Sequence, residues 1–460
     1  MRFSRRDFLA ASAAAMAFPG GARAAIAQLP KDADVVVIGA GAAGIAAARR
    51  VLAANRRVVI VEASNRIGGR CWTDTETFGV PFDRGARWLY AQNANPVARL
   101  ARTVAMDVYA APHAQKIRIG RRNARASETE EFLASLVRAN RAIGDPSRRV
   151  DVAAQDALPK DLGDWTRTLE FTLGPATAAK DLKDVSALDL SRLEPRDAGA
   201  FCRQGLGALV AKLADPVPVV VGSPVTRIVW GVRGDLGVET TTGRMTTRAV
   251  ITTVSTNVLT SGKIRFVPDL PKRHLEAAAK LSLGSYDHIA LELPSNPLGL
   301  QRDDFVVERS ESNQTALLLA NIGNTSLCTV DVAGGFGRDL SAKGEAAMVA
   351  FATEWLGKLY GSDVKGTVKR SAVTQWNASP FVLGATSVAA PGAQGSRKIL
   401  MEPLSSLFFA GEAVHETLWG TVGGAWESGE RAAEAALRRI GALAPEPKEQ
   451  PAGKSKRKKQ

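Results

Sequence analysis

The clearest hydrophobic pattern in the chain begins just after Asp32. Four apolar residues in a row, Val35 to Ile38, predict a strand buried on both faces, because a half-exposed strand would alternate. Gly39-x-Gly41-x-x-Gly44 follows at once. From about Ala42 to Ala54 apolar residues recur at helical spacing, and a second apolar run, Val58 to Val61, stops at Glu62. Strand, glycine turn, helix and strand make a complete βαβ unit, so the predicted fold class is α/β with a Rossmann-like nucleotide-binding domain. Residues 111–199 are Arg-rich and helical in pattern, with breaks at Pro146, Pro159 and Pro175. The stretch "DVAGGFGRDL" predicts a surface turn. "SGKIRFVPDLP" predicts an apolar strand ending in two prolines, with Lys263 inside it. An ammonium there is costly unless a specific partner receives it. No internal repeat is visible.

Each piece of the βαβ unit has a physical task. Gly39 permits the tight turn, Gly41 lets the backbone approach a pyrophosphate, and Gly44 lets helix and strand pack closely; Ala43 completes this turn. The helix N-terminus offers unpaired N–H groups to phosphates. Glu62 is placed to accept from ribose hydroxyls. The continuation "EASNRIGGR" brings Gly69 as a second close backbone approach and Arg70 as a cation, which points to FAD.

Charge and composition alter the picture at the two ends. The formal net charge is +14. Residues 1–27 hold four Arg and one Asp, and the tail from Glu446 to Gln460 holds six Lys/Arg and two Glu, leaving +7 on the body. The tail, 446–460, reads as a solvated, disordered run without interleaved aromatics, so no nucleic-acid partner is expected. Arg5 and Arg6 precede a short apolar run, Phe8 to Phe18, and an A-x-A-like site at Ala25-Ile26-Ala27. That run is too short to span a bilayer. The segment resembles a twin-arginine (Tat) export signal, which implies a periplasmic or secreted protein with no transmembrane helix in the mature chain. Cys71, Cys202 and Cys328 form no C-x-x-C pair and are expected as core thiols. His113, His274 and His288 are scattered without ligand spacing, so no metal is expected; His415, in the last motif, could serve as a base but is expected to pack or hydrogen-bond locally.

Beyond the fingerprint the chain resembles the flavin-containing amine oxidases: monoamine oxidases, polyamine oxidases and the related histone demethylases. Glu62, Ala63, Arg66, Gly68, Gly69 and Arg70 match their E-A-x-x-R-x-G-G-R run. "FDRGARWLYAQNANPVARLA" is similar to their segment beside the flavin ring, which implies flavin contacts at Gly85, Ala86, Arg87 and Trp88. "VVVGSPVTRIVW" resembles the strand that touches adenine, implying Val225. "LFFAGEAVHETLWGTVGGAWESGERAAEAAL" resembles the closing motif, implying Glu412 near the ribityl–phosphate part and Thr421 and Val422 opening the last helix under the ring.

The resemblance also implies that Lys263 is the family's catalytic lysine, held by a water that bridges to flavin N5. The implied reaction oxidises a C–H next to an amine nitrogen, with a small-molecule amine as substrate and O₂ or a periplasmic acceptor such as a cytochrome as the electron sink. An amino-acid oxidase, a desaturase-like flavoenzyme and a non-catalytic flavin-binding factor are the alternatives. "SPFVLGATSVAAPG" has no Cys where monoamine oxidases attach the flavin, so FAD is expected to be non-covalent. The paired tyrosines of the aromatic cage are replaced at Ala385 or Thr386 and at Thr421, leaving Trp88, Trp376, Trp419 and Phe381 as candidate walls. Trp88 stands where amino-acid oxidases place an Arg. The expected FAD domain comprises 30–110, 200–262 and 398–441. A discontinuous α+β substrate domain comprises 111–199 and 263–397.

Overall fold

The computed structural model describes residues 28–112, 115–145, 147, 150–196, 199–231 and 234–444. The twin-arginine segment, the basic tail, His113 and Pro146 lie outside them. The βαβ unit forms as its pattern predicts: β1 (Asp32–Ile38), α1 (Ala42–Ala53) and β2 (Val58–Val61). Alternate residues of β1 serve two cores, as a strand buried on both faces must. Val35 and Val37 pack with α1 and the C-terminal helix, while Val36 and Ile38 pack on the opposite side.

The first sheet runs Val219–Val220, β2, β1, Gly243–Thr252, Leu236–Thr240, β3 (Val225–Val229) and β4 (Arg265–Val267), with Leu407–Phe409 added beside Gly243–Thr252. The second sheet runs Arg370–Val373, β5 (Tyr286–Glu292), β6 (Leu327–Ala333), Leu317–Ala320, Asp304–Glu308, Gln115–Ile119 and Arg122–Asn123. The helix Glu345–Tyr360 covers it through Met348, Ala352, Trp355, Leu356 and Leu359. The C-terminal helix α2 (Val422–Arg439) lies on α1 so closely that a Cβ at Gly429 would meet the Ala43 carbonyl oxygen at 2.1 Å.

Three expectations are corrected. β4 pairs in parallel with β3, so a domain boundary at 262 cuts a strand off its own sheet. Ala277 and Ala278 of the helix after it also pack into that sheet's core. "DVAGGFGRDL" is not a surface turn: Asp331 to Ala333 end β6, and Gly334–Ser341 is a helix. Gly337 must press on the Val332 backbone, where a Cβ would lie 2.8 Å from its carbonyl carbon. Pro175 starts a four-residue helix at its first turn, where the missing N–H costs nothing. Pro159 does fall in non-helical chain between Ala126–Ile143 and Thr166–Leu173.

Candidate functional site

A continuous cavity of about 610 Å³ opens at the C-terminal end of β1. It is lined by Gly39, Gly41, Ala43, Glu62, Gly69, Arg70, Gly85, Ala86, Arg87, Trp88, Val225, Glu412, Thr421 and Val422, so the structure brings these predicted residues together. Gly44 stands behind it and sets the helix against the strand: a Cβ there would lie 1.9 Å from the Gly39 carbonyl oxygen.

The cradle suits a dinucleotide. α1 starts at Gly41 without a side-chain cap and without an acid in its first turn, so its N–H groups face the cavity unneutralised. Gly41 and Gly69 meet backbone to backbone, a Cβ on Gly69 lying 3.2 Å from Gly41 Cα. The Glu62 carboxylate is fixed at the end of β2 by the Ala40 N–H at 2.7 Å and by the Ser64 N–H and hydroxyl, both at 2.8 Å. Arg70 donates to Glu412 Oε1 at 2.8 Å and to the Ala385 carbonyl. Glu412 also accepts from the Ser387 N–H and hydroxyl and from the Gly420 N–H. Burial would raise its carboxyl, but Arg70, Ser387 and Arg397 together bring it below the usual range. Thr421 caps α2 by accepting from the Gly424 N–H, and Val422 opens the helix at the cavity wall.

Beyond this cradle the walls are aromatic. Trp88 stacks on Tyr90, with centroids 5.9 Å apart and planes at 2°, and packs on Phe201 and the edge of Phe305. Trp376 is held by its indole N–H on the Arg84 carbonyl. Phe381, 41% exposed, also lines the cavity. Trp419 does not: it is fully buried, and the guanidinium planes of Arg397 and Arg196 lie over its ring at 4.7 and 5.5 Å. It is a packing residue rather than a substrate wall.

Lys263 lines the same cavity, but in a setting other than the buried strand expected for it. It sits in a turn before β4, exposed, and its Nζ donates to the Pro380 carbonyl at 2.6 Å. The register Arg227↔Arg265 places it beside the start of β3, at the Val225 end of the cavity. It is therefore neither within a strand nor desolvated, because β4 begins only at Arg265 and the turn faces solvent.

The ionisable group next to Gly85–Trp88 is instead His288 on β5. Its Nε2 lies 3.0 Å from the Gly85 carbonyl oxygen and its Nδ1 2.7 Å from Arg87. Asp331, Tyr286, Tyr90, Phe305 and Arg196 also line this end, and the sequence reading missed them. A signal existed for two: Asp331 in "CTVDVA" and His288 in "YDHIAL" are polar residues within apolar strands, costly unless paired. His415 accepts the Leu418 N–H at its Nδ1 and meets Glu427 at 3.1 Å, a local role away from the cavity. The three cysteines are buried, and burial pushes Cys71 up to about 12 and Cys202 and Cys328 up to about 11. Among the described residues no helix is long and apolar enough to cross a membrane.

Residues 42–437 match the family model of flavin containing amine oxidoreductase. The chain is 27% identical over 437 residues to Protein FLOWERING LOCUS D of Arabidopsis thaliana, covering 87% of this chain and 55% of that protein. It is 26% identical to the Probable polyamine oxidase 4 of the same plant, covering 88% and 87%. The chain thus spans little more than half the length of several curated relatives it matches. Its fold is that of cyclohexylamine oxidase from Brevibacterium oxydans IH-35A, with a TM-score of 0.76 at 20% identity over 89% of this chain and all of that one. Putrescine oxidase bound to putrescine gives a TM-score of 0.75 at 17% identity, covering 88% and 99%. With FAD as its cofactor, the chain belongs to the flavin-containing amine oxidoreductase family.

Proposed function

We infer that this protein is an exported FAD-dependent oxidoreductase that oxidises a C–H next to an amine nitrogen. The observation that carries the reading is one cavity joining the glycine cradle to the walls of Trp88, Tyr90, Phe305 and Trp376. Glu62, Gly39, Gly41, Gly69, Arg70, Gly85 to Trp88, Glu412, Thr421 and Val422 would hold FAD without a covalent bond. Bound there, FAD supplies the hydride acceptor. The protein's share is orientation and exclusion of water by the aromatic walls. The product imine then hydrolyses to an aldehyde or ketone.

Among the described residues the substrate end has no carboxylate left over for an ammonium. Asp331 is engaged by His288 and Tyr286, and Glu412 by Arg70. The amine therefore reacts as the neutral base. Anaerobic addition of amines to the purified flavoprotein should bleach the flavin absorbance. The rate at fixed amine should climb about tenfold per pH unit below the amine's own pKa, near ~10 for an alkylamine like lysine. A flat profile from about pH 6 to about 10 would overturn the neutral-amine reading. Lys263→Met should leave the anaerobic reduction rate within about threefold, because its ammonium is solvated at the Val225 end. A loss of about a hundredfold would return Lys263 to the chemistry.

One observation favours a second reading, an amino-acid oxidase. Arg196 lines the cavity with its guanidinium on the Thr177 and Trp419 carbonyls and over the Tyr90 ring. The carboxylate acting on it is Glu412, which is already paired with Arg70, so a substrate carboxylate would suit it. Including amino acids in the same titration separates the two readings. Bleaching by nothing would favour a non-catalytic flavin carrier.

Export through the twin-arginine route belongs to the same proposal. Replacing Arg5 and Arg6 by Lys should retain the protein in the cytoplasm. O₂ or a periplasmic cytochrome would take the electrons, and reoxidation rates in air with and without added cytochrome decide between them.

A further inference from the structure

The polar end of the cavity holds a cluster whose histidine and carboxylate neither cofactor binding nor the aromatic walls account for. His288 and Asp331 are direct cross-strand neighbours on β5 and β6, and Arg87 lies against both. The three are 5%, 4% and 6% exposed. Their contacts restrict where protons can sit. Nε2 of His288 faces the Gly85 carbonyl, which only accepts, so Nε2 carries a hydrogen. Nδ1 lies 2.7 Å from Asp331 Oδ1 and 2.7 Å from an Arg87 nitrogen. A guanidinium only donates and an ionised carboxylate only accepts. Two states of Nδ1 are therefore both provided for: bare, accepting from Arg87, or protonated, donating to Asp331. They differ by one proton at one atom.

Arg87, 3.5 Å away, and the Tyr286 hydroxyl favour an ionised Asp331 whichever state the ring is in. Burial would raise its carboxyl, but Arg87, together with a protonated His288, brings it down to about 2. A hydroxyl links the cluster to the cavity: Tyr286 lines the wall and donates to Asp331 Oδ2 at 3.1 Å. The other groups around His288 are few. Asp287, its strand neighbour, is turned to the Trp376 N–H and the Thr374 hydroxyl. The strand on the other side of β5 is followed by Thr374, whose hydroxyl accepts the His288 N–H. Arg87 is further tied to the Thr329 hydroxyl at 2.6 Å.

We propose that His288 is the proton-linked positioning residue of this cavity, taking up a proton at Nδ1 when two electrons enter the site and releasing it when they leave. The inference rests on the flavin-dependent reading. In the oxidation the substrate C–H bond breaks and its electron pair leaves as hydride to the cofactor. The nitrogen lone pair forms the C=N bond. The proton lost from that nitrogen passes by the Tyr286 hydroxyl and the Asp331 carboxylate to Nδ1. When O₂ takes the electron pair, this proton and the transferred hydrogen complete hydrogen peroxide. The positive charge gained at His288 matches the negative charge gained by the site.

The test reads protonation directly and needs no amine. The holoprotein is labelled with ¹⁵N-histidine, and its four histidines are observed oxidised and after dithionite reduction, at about pH 8, above histidine's ordinary range. One ring should change from the Nε2–H pattern to the doubly protonated pattern on reduction, and that signal should be missing in His288→Asn. Should that variant not fold, replacing His113, His274 and His415 by Gln leaves His288 as the sole ring to follow. The proposal is overturned if no ring changes, or if the changing signal survives in His288→Asn. A substrate panel that bleaches nothing would defeat the amine reading and leave this result standing.

Discussion

Gly41→Ala and Gly44→Ala each cost the protein its flavin, by different routes. Gly41 has φ −80°, a conformation open to any residue, and a Cβ there meets only Gly69 Cα at 4.0 Å. The methyl group therefore disturbs nothing in the protein itself. It occupies the space through which a pyrophosphate approaches the first turn of α1. Gly41→Ala should leave the melting temperature of the apoprotein unchanged and weaken FAD binding at least about tenfold, or ~1.4 kcal/mol. Gly44→Ala acts on the fold, because its Cβ would sit 1.9 Å from a backbone oxygen of Gly39 and 3.3 Å from Val37. Backbone cannot swing aside as a flexible side chain can, so α1 must lift off β1. Overpacking of this kind costs about 1–3 kcal/mol or more. The apoprotein should melt earlier, and the flavin-to-protein absorbance ratio should fall as well. Equal apoprotein stability in the two variants would mean that the close helix–strand approach is not what Gly44 provides.

This contrast shows what kind of information the sequence carried. The βαβ unit was legible because each of its parts is local: an apolar run, three glycines at fixed spacing and an acid at the end of the next strand. Gly85 to Trp88, Glu412, Thr421 and Val422 were legible through their motifs, and the structure gathers them in one cavity. Lys263 was misplaced because the pattern "KIRFV" suggests a strand without saying where it starts. Only pairing with β3 shows that the strand begins at Arg265 and that the lysine lies at the Val225 end. His288 and Asp331 are 43 residues apart and acquire meaning only when β5 and β6 pair in register. Trp419 failed as a wall for a similar reason: its neighbours in sequence line the cavity, but its ring turns inward beneath two arginines reached through other segments.

Arg397→Met should be the most destabilising single change outside the glycine loop. Arg397 and Asp189 are each 1% exposed and form a two-pronged pair, with Nε and Nη2 donating to the two carboxylate oxygens at 2.8 Å. The same guanidinium donates to the Ser387 hydroxyl and the Ala413 carbonyl, and Ser387 in turn donates to Glu412. A run of polar contacts thus links the helix Ala187–Ser191 through Arg397 and Glu412 to Arg70 in the glycine loop. Removing the arginine leaves the Asp189 carboxylate buried as a charge, with the Ala389 N–H at 3.3 Å as its remaining donor among the described residues. Breaking a buried pair in this way costs about 3–5 kcal/mol, read as a lower melting temperature. Asp189→Leu combined with Arg397→Met should recover much of that loss, because an apolar pair avoids the unmatched charge. Recovery should stay incomplete, since the Ala413 carbonyl and Ser387 still lose a donor. If Arg397→Met costs less than about 1 kcal/mol, the pair behaves like an exposed salt bridge and water reaches Asp189. If the double variant is no better than the single one, the guanidinium matters chiefly through Ser387 and Glu412, and its role is to hold the carboxylate beside Arg70 rather than to neutralise Asp189.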